Sequence, residues 1–226
     1  VPVIPVPTAG FLGGTFQTGV NTSLNAVAET AEPGVKGWCV NIIGEKNLEY
    51  EVDVNFAEVS RLLTALGIPV NLRFLHQCSM NDICRLGAAR LNILRDDEVR
   101  SVGEQLKKRF GTPYISSYPA GLEGTISFLE SVAKKFGVHS SRAVRDEEAL
   151  QDDLLAGFND IRGSSITFDP AHNTPESFRI ASKVAERIDI TIKTHSCCRV
   201  PPELSPPVGT AGVRRMLHRW RRAIHA

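Results

Sequence analysis

The sequence predicts an α/β fold built from doubly wound parallel sheets with helices on both faces. Short apolar runs without polar alternation recur along the chain, which is typical of strands buried on both faces. Between these runs lie amphipathic segments with helical spacing, several of them closed by a glycine. The connections are short, so each helix is expected to cross over between two parallel strands.

Residues 1–138 contain five predicted strands and five predicted helices. The strands are predicted over 1–7, 38–43, 68–75, 89–94 and 114–115. The helices are predicted over 16–30, 54–66, 79–86, 98–110 and 122–136. Ser79 and Asp96 or Asp97 are suitable helix caps, because their side-chain oxygens can accept a backbone N–H. Gly67, Gly111 and Gly137 follow helices at the position where a left-handed residue commonly ends them.

The remaining residues repeat the same alternation once. The predicted elements are a connecting helix over 145–161, a strand over 164–169, a helix over 174–187, a strand over 190–194 and a basic helix over 212–224. A Pro-rich loop over 196–209 precedes the last helix. The whole pattern predicts one complete Rossmann-like domain over 1–138 and a partial α/β domain over 139–226.

Composition excludes several classes of protein. The chain has 226 residues, of which 42% are hydrophobic and 23% charged, and a net charge of +1. We therefore expect no nucleic-acid partner, which usually requires a strong basic excess, and no membrane span, which needs about 18 consecutive apolar residues. Five cysteines fit a reducing compartment such as the cytoplasm better than a disulfide scaffold. Since the chain begins at Val1, we expect a processed chain or, preferably, a fragment.

A glycine-rich segment lies between the first predicted strand and helix. Gly10, Gly13, Gly14 and Gln17 belong to it. Open backbone N–H groups at a helix start suit an anion, a phosphate or a cluster sulfide. The alternative is a plain tight turn, because neither a Gly-x-Gly-x-x-Gly register nor a P-loop lysine is present.

Four cysteines and one histidine are candidate metal ligands. They are Cys78, Cys84, His195, Cys197 and Cys198. His195, Cys197 and Cys198 follow a predicted strand end, where open α/β sheets place their sites. The cysteine pairs lack the two-residue spacing of well-defined zinc and iron–sulfur motifs, so structural cysteines remain the alternative.

Charged residues follow the predicted strand over 89–94. Arg95 and Arg100 could bind an anionic ligand, and Asp96 lies beside them at the same sheet edge. Helix capping is the alternative role for Asp96. The basic helix over 212–224 could dock an acidic partner, or it could simply be a solvated face.

Several segments carry motifs that occur together in one known family. They are 3–19 with its Gly-Phe-Leu-Gly turn, 40–44 (VNIIG) followed by 60–70, 88–93 with 110–113, 119–129, and 207–217. In this order they resemble the nitrogenase component 1 superfamily, most closely its beta-type subunits. That family includes the molybdenum–iron protein, cofactor-assembly scaffolds and protochlorophyllide reductase. Its subunits have three α/β domains, and this chain resembles the second plus a remnant of the third.

The resemblance implies an oxidoreductase subunit or a metallocofactor-assembly scaffold. It further implies an iron–sulfur cluster or iron-containing metallocofactor, or alternatively a tetrapyrrole, bound near Gly10, Gly13, Gly14, Gln17, Arg95, Asp96 and Arg100. The implied partners are an ATP-dependent iron–sulfur reductase protein and homologous component 1 subunits. The chain departs from true nitrogenase at Asp96 and near Val20, where the family has a cofactor cysteine and a histidine. A non-catalytic ligand-binding or partner-docking module is the alternative.

Overall fold

The computed structural model describes residues 3–6, 13–46, 49–116, 118–168, 174–194 and 205–226, except for the side chain of residue 194. Contacts divide the chain into two compact units, the first formed by 1–52 and 63–118 and the second by 53–62 and 119–226. The sequence-based domain boundary near 138 stays a prediction. None of the described helices is long and apolar enough to cross a membrane.

The first unit is built around a four-stranded parallel sheet in the order β2-β1-β3-β4. Its strands are β1 Val40–Ile43, β2 Val70–Phe74, β3 Leu91–Leu94 and β4 Tyr114–Ile115. The helices numbered along this part of the chain are α1 Phe16–Ala28, α2 Val52–Ala65, α3 Met80–Ile83 and α4 Arg100–Phe110. Short 3₁₀ turns follow α3 and precede α4. Residues 53–62 of α2 belong to the second unit.

Among its described residues, the second unit contains a two-stranded parallel sheet and four further helices. Its elements are α5 Gly121–Phe136, α6 Ser141–Ala156, β5 Ser165–Phe168, α7 Pro175–Arg187, β6 Thr191–Thr194 and α8 Gly209–His225. Helix α5 packs against α6, α7 and α8. Trp220 of α8 is fully buried, and its ring meets that of Phe168 edge-on at 6.1 Å.

The structure confirms the predicted α/β fold with parallel sheets and corrects some element bounds. Residues 3–6 of the predicted first strand form no strand, which agrees with the missing ladder donor at Pro5. The connecting helix predicted over 145–161 begins at Ser141 and gives way to a 3₁₀ turn after Gly157. The last helix begins at Gly209 rather than at residue 212.

A ladder of asparagines crosses the middle of the four-stranded sheet. Asn71 of β2 donates its side-chain N–H to Asn41 Oδ1 of β1 at 2.8 Å, and Asn41 Nδ2 donates to Asn92 Oδ1 of β3 at 2.9 Å. Asn41 Nδ2 also donates to the carbonyl oxygen of Leu86 at 2.9 Å. Asn41 and Asn92 are completely or almost completely buried, so their amides depend on these bonds. The ladder fixes the register of three strands.

Gly44 ends β1 in the left-handed region with φ +84°, and an added Cβ would lie 2.7 Å from a methyl carbon of buried Val99. We expect Gly44→Ala to lower the free energy of unfolding by about 2 kcal/mol, since backbone strain and a steric clash add together. Gly67 is the matched control, because its φ is +69° but an added Cβ would meet no atom within 4 Å. Gly67→Ala should lower the free energy of unfolding by about 1 kcal/mol, as measured by urea-induced unfolding. If Gly44→Ala and Gly67→Ala lower it equally, the steric clash with Val99 does not contribute.

Candidate ligand site at the carboxyl edge of the four-stranded sheet

The carboxyl ends of β1 and β3 mark the switch point of the first unit. From β1 the chain moves to β2 on one side of the sheet and then to β3 on the other. In open α/β sheets, ligands bind in the crevice outside the strands at such a reversal. The residues after β1 and β3 are therefore the main candidates for a site.

The start of α1 lies at this same edge. Asn21 Nδ2 donates to the carbonyl oxygen of Glu98, which follows β3, at 2.7 Å. Near the opposite end of α1, Arg109 at the end of α4 donates to the carbonyl oxygens of Glu29 and Ala31 at 2.6 and 2.8 Å. Helices α1 and α4 therefore run in the same direction, and α1 begins beside the carboxyl ends of the strands.

The glycine-rich segment leads directly into α1. Gly13 has φ +104°, a conformation that side-chain-bearing residues rarely adopt, and Gly14 follows it. Thr15 caps the helix by accepting the Thr18 N–H at 3.1 Å, and no acidic residue lies in the first turn. Gln17 Nε2 donates to Asn21 Oδ1 at 3.0 Å. Gly10, predicted with these residues, lies outside the described residues.

Arg95, predicted to line a ligand cleft, lies in the interior. Its side chain is 7% exposed, its Nη2 lies 3.2 Å from Glu49 Oε1, and its guanidinium carbon lies 4.8 Å from the ring centre of Tyr118. Beside it, Arg73 forms two hydrogen bonds with the carboxylate of buried Glu45, at 2.8 and 3.0 Å. Two internal ion pairs, Arg95–Glu49 and Arg73–Glu45, therefore lie at the carboxyl edge of the sheet near the switch point.

Tyr118 completes this cluster as an uncharged member. Burial, together with the negative charge of Glu45, raises the pKa of its phenol well above the ordinary value, although Arg95 and Arg73 oppose the shift. The phenol therefore remains protonated at neutral pH. The cluster holds two cations and two anions, and Arg95 supports the site rather than presenting a free charge to a ligand.

Asp96 and Arg100 lie closer to solvent. Asp96 accepts the Glu98 N–H at 3.0 Å as a helix cap and pairs with Lys46 Nζ at 3.2 Å. Burial opposes charge on Lys46, but Asp96 and Glu98 together raise its pKa. Arg100 pairs with Asp97 at 2.6 Å and keeps 55% of its side chain exposed. Of the charged residues predicted for the site, Arg100 is the one most available to an anionic ligand.

The predicted metal ligands are not gathered by the described part of the chain. Cys78 is half-buried after β2, and Cys84 is exposed in the 3₁₀ turn after α3. His195, Cys197 and Cys198 lie outside the described residues. Among the described residues, no three side chains of the ligand types His, Cys, Asp and Glu come close enough to hold a metal ion. These residues alone do not fit an iron–sulfur cluster.

Three exposed apolar side chains at this edge were not predicted from the sequence. Phe16 begins α1 and is 80% exposed, Tyr50 follows β1 and is fully exposed, and Met80 begins α3 after β2 and is 49% exposed. Large apolar residues are normally withdrawn from water, so several at one sheet edge suggest a binding surface. No local sequence pattern groups them, because each lies at or just before the start of a different helix.

The parallel sheet and its switch-point edge define an α/β protein with a Rossmann-like arrangement. The chain belongs to the nitrogenase component 1 type oxidoreductase family, whose model matches residues 1–167. The predicted family is thereby confirmed. A solved structure titled "Nitrogenase Cp1 at pH 5" has the same fold, with a TM-score of 0.61 and 18% identity, over 86% of this chain and 41% of that one.

Two curated relatives are B-type subunits of a light-independent protochlorophyllide reductase. The B-type subunit of light-independent protochlorophyllide reductase from Methylobacterium radiotolerans is 33% identical over 148 residues, which are 61% of this chain and 28% of the relative. The corresponding protein of Halorhodospira halophila is 34% identical over 110 residues, 48% of this chain and 21% of the relative. The chain therefore spans less than a third of the length of these proteins.

Proposed function

We propose that the chain contributes a substrate-binding wall to a reductase of the light-independent protochlorophyllide reductase type. The observation that carries the proposal is the switch-point edge of the first unit, in a chain of which 61% matches the B-type subunit of that reductase. In this proposal, electrons come from an ATP-dependent iron–sulfur protein, and homologous component 1 subunits complete the assembly. The cysteine composition supports a cytoplasmic location.

The chemistry of the sheet edge suits a planar, apolar ring system that carries a carboxylate. Phe16, Tyr50 and Met80 offer aromatic and thioether contacts to such a ring. Arg100 can pair with a carboxylate, and the backbone N–H groups at the start of α1 add positive potential. A tetrapyrrole has both features, which favours it over a small inorganic anion as the ligand of this edge.

The described residues do not form a binding site for an iron–sulfur cluster, so we assign this chain no reaction step that involves one. An iron–sulfur cluster would supply single electrons to the substrate if an assembly of this kind held one. What the chain's own residues contribute is an apolar surface and a cation. The buried pairs Arg95–Glu49 and Arg73–Glu45 hold the underlying backbone in place.

Substitution of Tyr50 tests the substrate-binding wall. We expect Tyr50→Asp to weaken binding of protochlorophyllide about tenfold, because a charge replaces an aromatic contact worth about 1.5 kcal/mol. Absorbance titration of the purified chain measures this binding. Val35→Asp is the matched control, since Val35 is 94% exposed but precedes β1 at the other end of the sheet. Equal losses in the two variants, or no binding by the wild type, would contradict the proposal.

Activity requires a separate experiment under anaerobic conditions. The chain would be purified with its iron and acid-labile sulfide measured, then combined with an ATP-dependent iron–sulfur protein and a homologous component 1 subunit. Formation of reduced tetrapyrrole that depends on this chain would support the reductase. Binding of protochlorophyllide without any turnover, in a preparation free of iron, would instead favour the non-catalytic binding module.

A further inference from the structure

Two cations at the carboxyl edge of the four-stranded sheet differ from their neighbours in exposure. Arg95 and Arg73 lie in the interior and pair with carboxylates that are also withdrawn from water. Lys46, which follows β1, and Arg100, which begins α4, keep 51% and 55% of their side chains exposed. Ion pairs at the surface contribute little to stability, so their members can change partners readily. Lys46 and Arg100 can therefore engage an incoming anion.

Lys46 connects the residues that follow β1 to those that follow β3. Its Nζ lies 3.2 Å from Asp96 Oδ2 and 3.2 Å from Glu98 Oε2. The carbonyl oxygen of Glu98 in turn accepts the side-chain N–H of Asn21 from α1 at 2.7 Å. Since β1 and β3 flank the switch point, the Lys46 side chain joins the two sides of the crevice in which open α/β sheets bind ligands.

The charges around this connection are not balanced. One ammonium group pairs with two carboxylates, Asp96 and Glu98, whereas Arg100 pairs with Asp97. The three consecutive carboxylates and the two cations together leave one negative charge. An anionic ligand therefore gains little at this edge unless it takes over one of the cations. Lysine suits such an exchange, because its ammonium has three rotatable donors on a flexible stem.

We propose that Lys46 exchanges Asp96 and Glu98 for the carboxylate of the ligand, so that these two acidic residues regulate the affinity of the sheet edge. The inference rests on the proposed function, since it takes the ligand to be a ring system that carries a carboxylate. After the exchange, Asp96 keeps its bond to the Glu98 N–H at 3.0 Å, so the turn that begins at Asp97 stays capped. A ring system without a carboxylate has no group to offer Lys46.

Binding of two pigments tests the exchange. Protochlorophyllide has a free carboxylate, and its methyl ester has none. We expect Lys46→Met to weaken binding of the acid about fivefold in absorbance titrations, and to change binding of the ester less than about twofold. Glu98→Gln removes one competing anion from Lys46 and should tighten binding of the acid about threefold, as expected for an exposed ion pair.

A general change in the electric field would also tighten binding in Glu98→Gln, so the decisive measurement combines the substitutions. In the Lys46→Met background, Glu98→Gln should lose most of its effect on binding of the acid, because no ammonium is left to be released. Asp97→Asn is the matched control. It removes a carboxylate of the same turn that pairs with Arg100, so its effect should be the same with and without Lys46→Met.

The outcomes separate this inference from the proposed function. Equal effects of Glu98→Gln in the two backgrounds overturn the exchange, and so do equal losses of the acid and the ester in Lys46→Met. Both results leave the substrate-binding wall in place, since the pigments still bind. If neither the wild type nor Glu98→Gln binds either pigment, the proposed function fails and the exchange fails with it.

Discussion

Replacement of Arg61 by methionine is expected to lower the free energy of unfolding by about 3 kcal/mol. Arg61 joins two buried carboxylates in the second unit. Its Nε lies 2.8 Å from Glu58 Oε2, and its Nη2 lies 2.8 Å from Glu147 Oε2. Arg61 keeps 42% of its side chain exposed, but the two glutamate side chains are only 5% and 3% exposed, so the buried groups of this pair are the carboxylates. Without the guanidinium, both carboxylates would keep their desolvation cost and lose the cation that offsets it.

The remaining partners of these carboxylates cannot replace the cation. Glu58 accepts the Ala211 N–H at 3.1 Å, and Glu147 accepts the Thr210 hydroxyl at 2.5 Å. These bonds connect α2 and α6 to the start of α8. The contact between the three helices therefore depends on a cation that offsets the two carboxylates. Urea-induced unfolding followed by circular dichroism measures the free energy of unfolding of the wild type and of Arg61→Met.

The pH dependence of Arg61→Met has a defined sign. Burial raises the pKa of Glu58, but the hydrogen bonds from Arg61 and Ala211 and the charge of Arg61 outweigh it and leave the pKa lowered. A lowered folded-state pKa contributes stability above the unfolded value and loses it as the pH falls. In Arg61→Met the burial of Glu58 is no longer offset by a cation, so protonation of the Glu58 carboxylate stabilises the folded protein. The difference in free energy of unfolding between the wild type and Arg61→Met should therefore become smaller as the pH falls from about 7 to about 5.

Arg187 provides the matched control for this substitution. It pairs with Asp152 at 2.9 Å, but the two side chains are 42% and 73% exposed. Arg187→Met should change the free energy of unfolding by less than about 1 kcal/mol. Similar losses for Arg61→Met and Arg187→Met, or a stability gap that widens in acid, would contradict the assigned role of the buried carboxylates.

Asn41→Leu is expected to lower the free energy of unfolding by about 3 kcal/mol. Leucine has the same branched skeleton of four side-chain heavy atoms as asparagine but can neither donate to Asn92 and Leu86 nor accept from Asn71. Asn92 Oδ1 then loses a partner at a site that is 1% exposed. Buried amide groups without partners keep their full desolvation cost, so the loss should exceed that of an ordinary surface change.

The same substitution at Asn81 is the control for Asn41→Leu. Asn81 lies on α3 and is exposed. Asn81→Leu should change the free energy of unfolding by no more than about 0.5 kcal/mol. If Asn41→Leu proves as stable as wild type in thermal and urea-induced unfolding, the asparagine ladder does not stabilise the sheet.

The ladder also explains part of the sequence resemblance. Asn41 and Gly44 belong to the VNIIG motif, and Asn92 belongs to the segment 88–93 that also resembles the family. In the structure, Asn41 and Asn92 set the register of their strands, and Gly44 follows β1 close to the side chain of Val99. They do not touch an open crevice. The motifs that identify the family are therefore, at these positions, requirements of the sheet. They predicted the fold correctly without locating a ligand.

The candidate site was predicted only in outline. Strand ends and capping residues predicted Arg95, Asp96 and Arg100 at the carboxyl end of a strand, and in the structure they follow β3, while their part in a ligand site stays a prediction. The sequence could not distinguish the buried Arg95 from the exposed Arg100. The residues that contact Arg95 are distant along the chain: Glu49 lies 46 positions before it and Tyr118 lies 23 positions after it. Nor did any local pattern group Phe16, Tyr50 and Met80, which follow different elements of the chain.

Local patterns by themselves determined the α/β class, the alternation of strands and helices, the helix ends at Gly111 and Gly137 and the family. These features depend on neighbouring residues, periodicity and backbone conformation, all of which are present in a short stretch of sequence. Only the tertiary structure decided which charges are buried and paired, as at Glu58 and Arg95, and which stay at the surface, as at Arg100. The physical reason is that ion pairing and burial depend on side chains that are distant along the chain and become neighbours only when the sheets and helices pack.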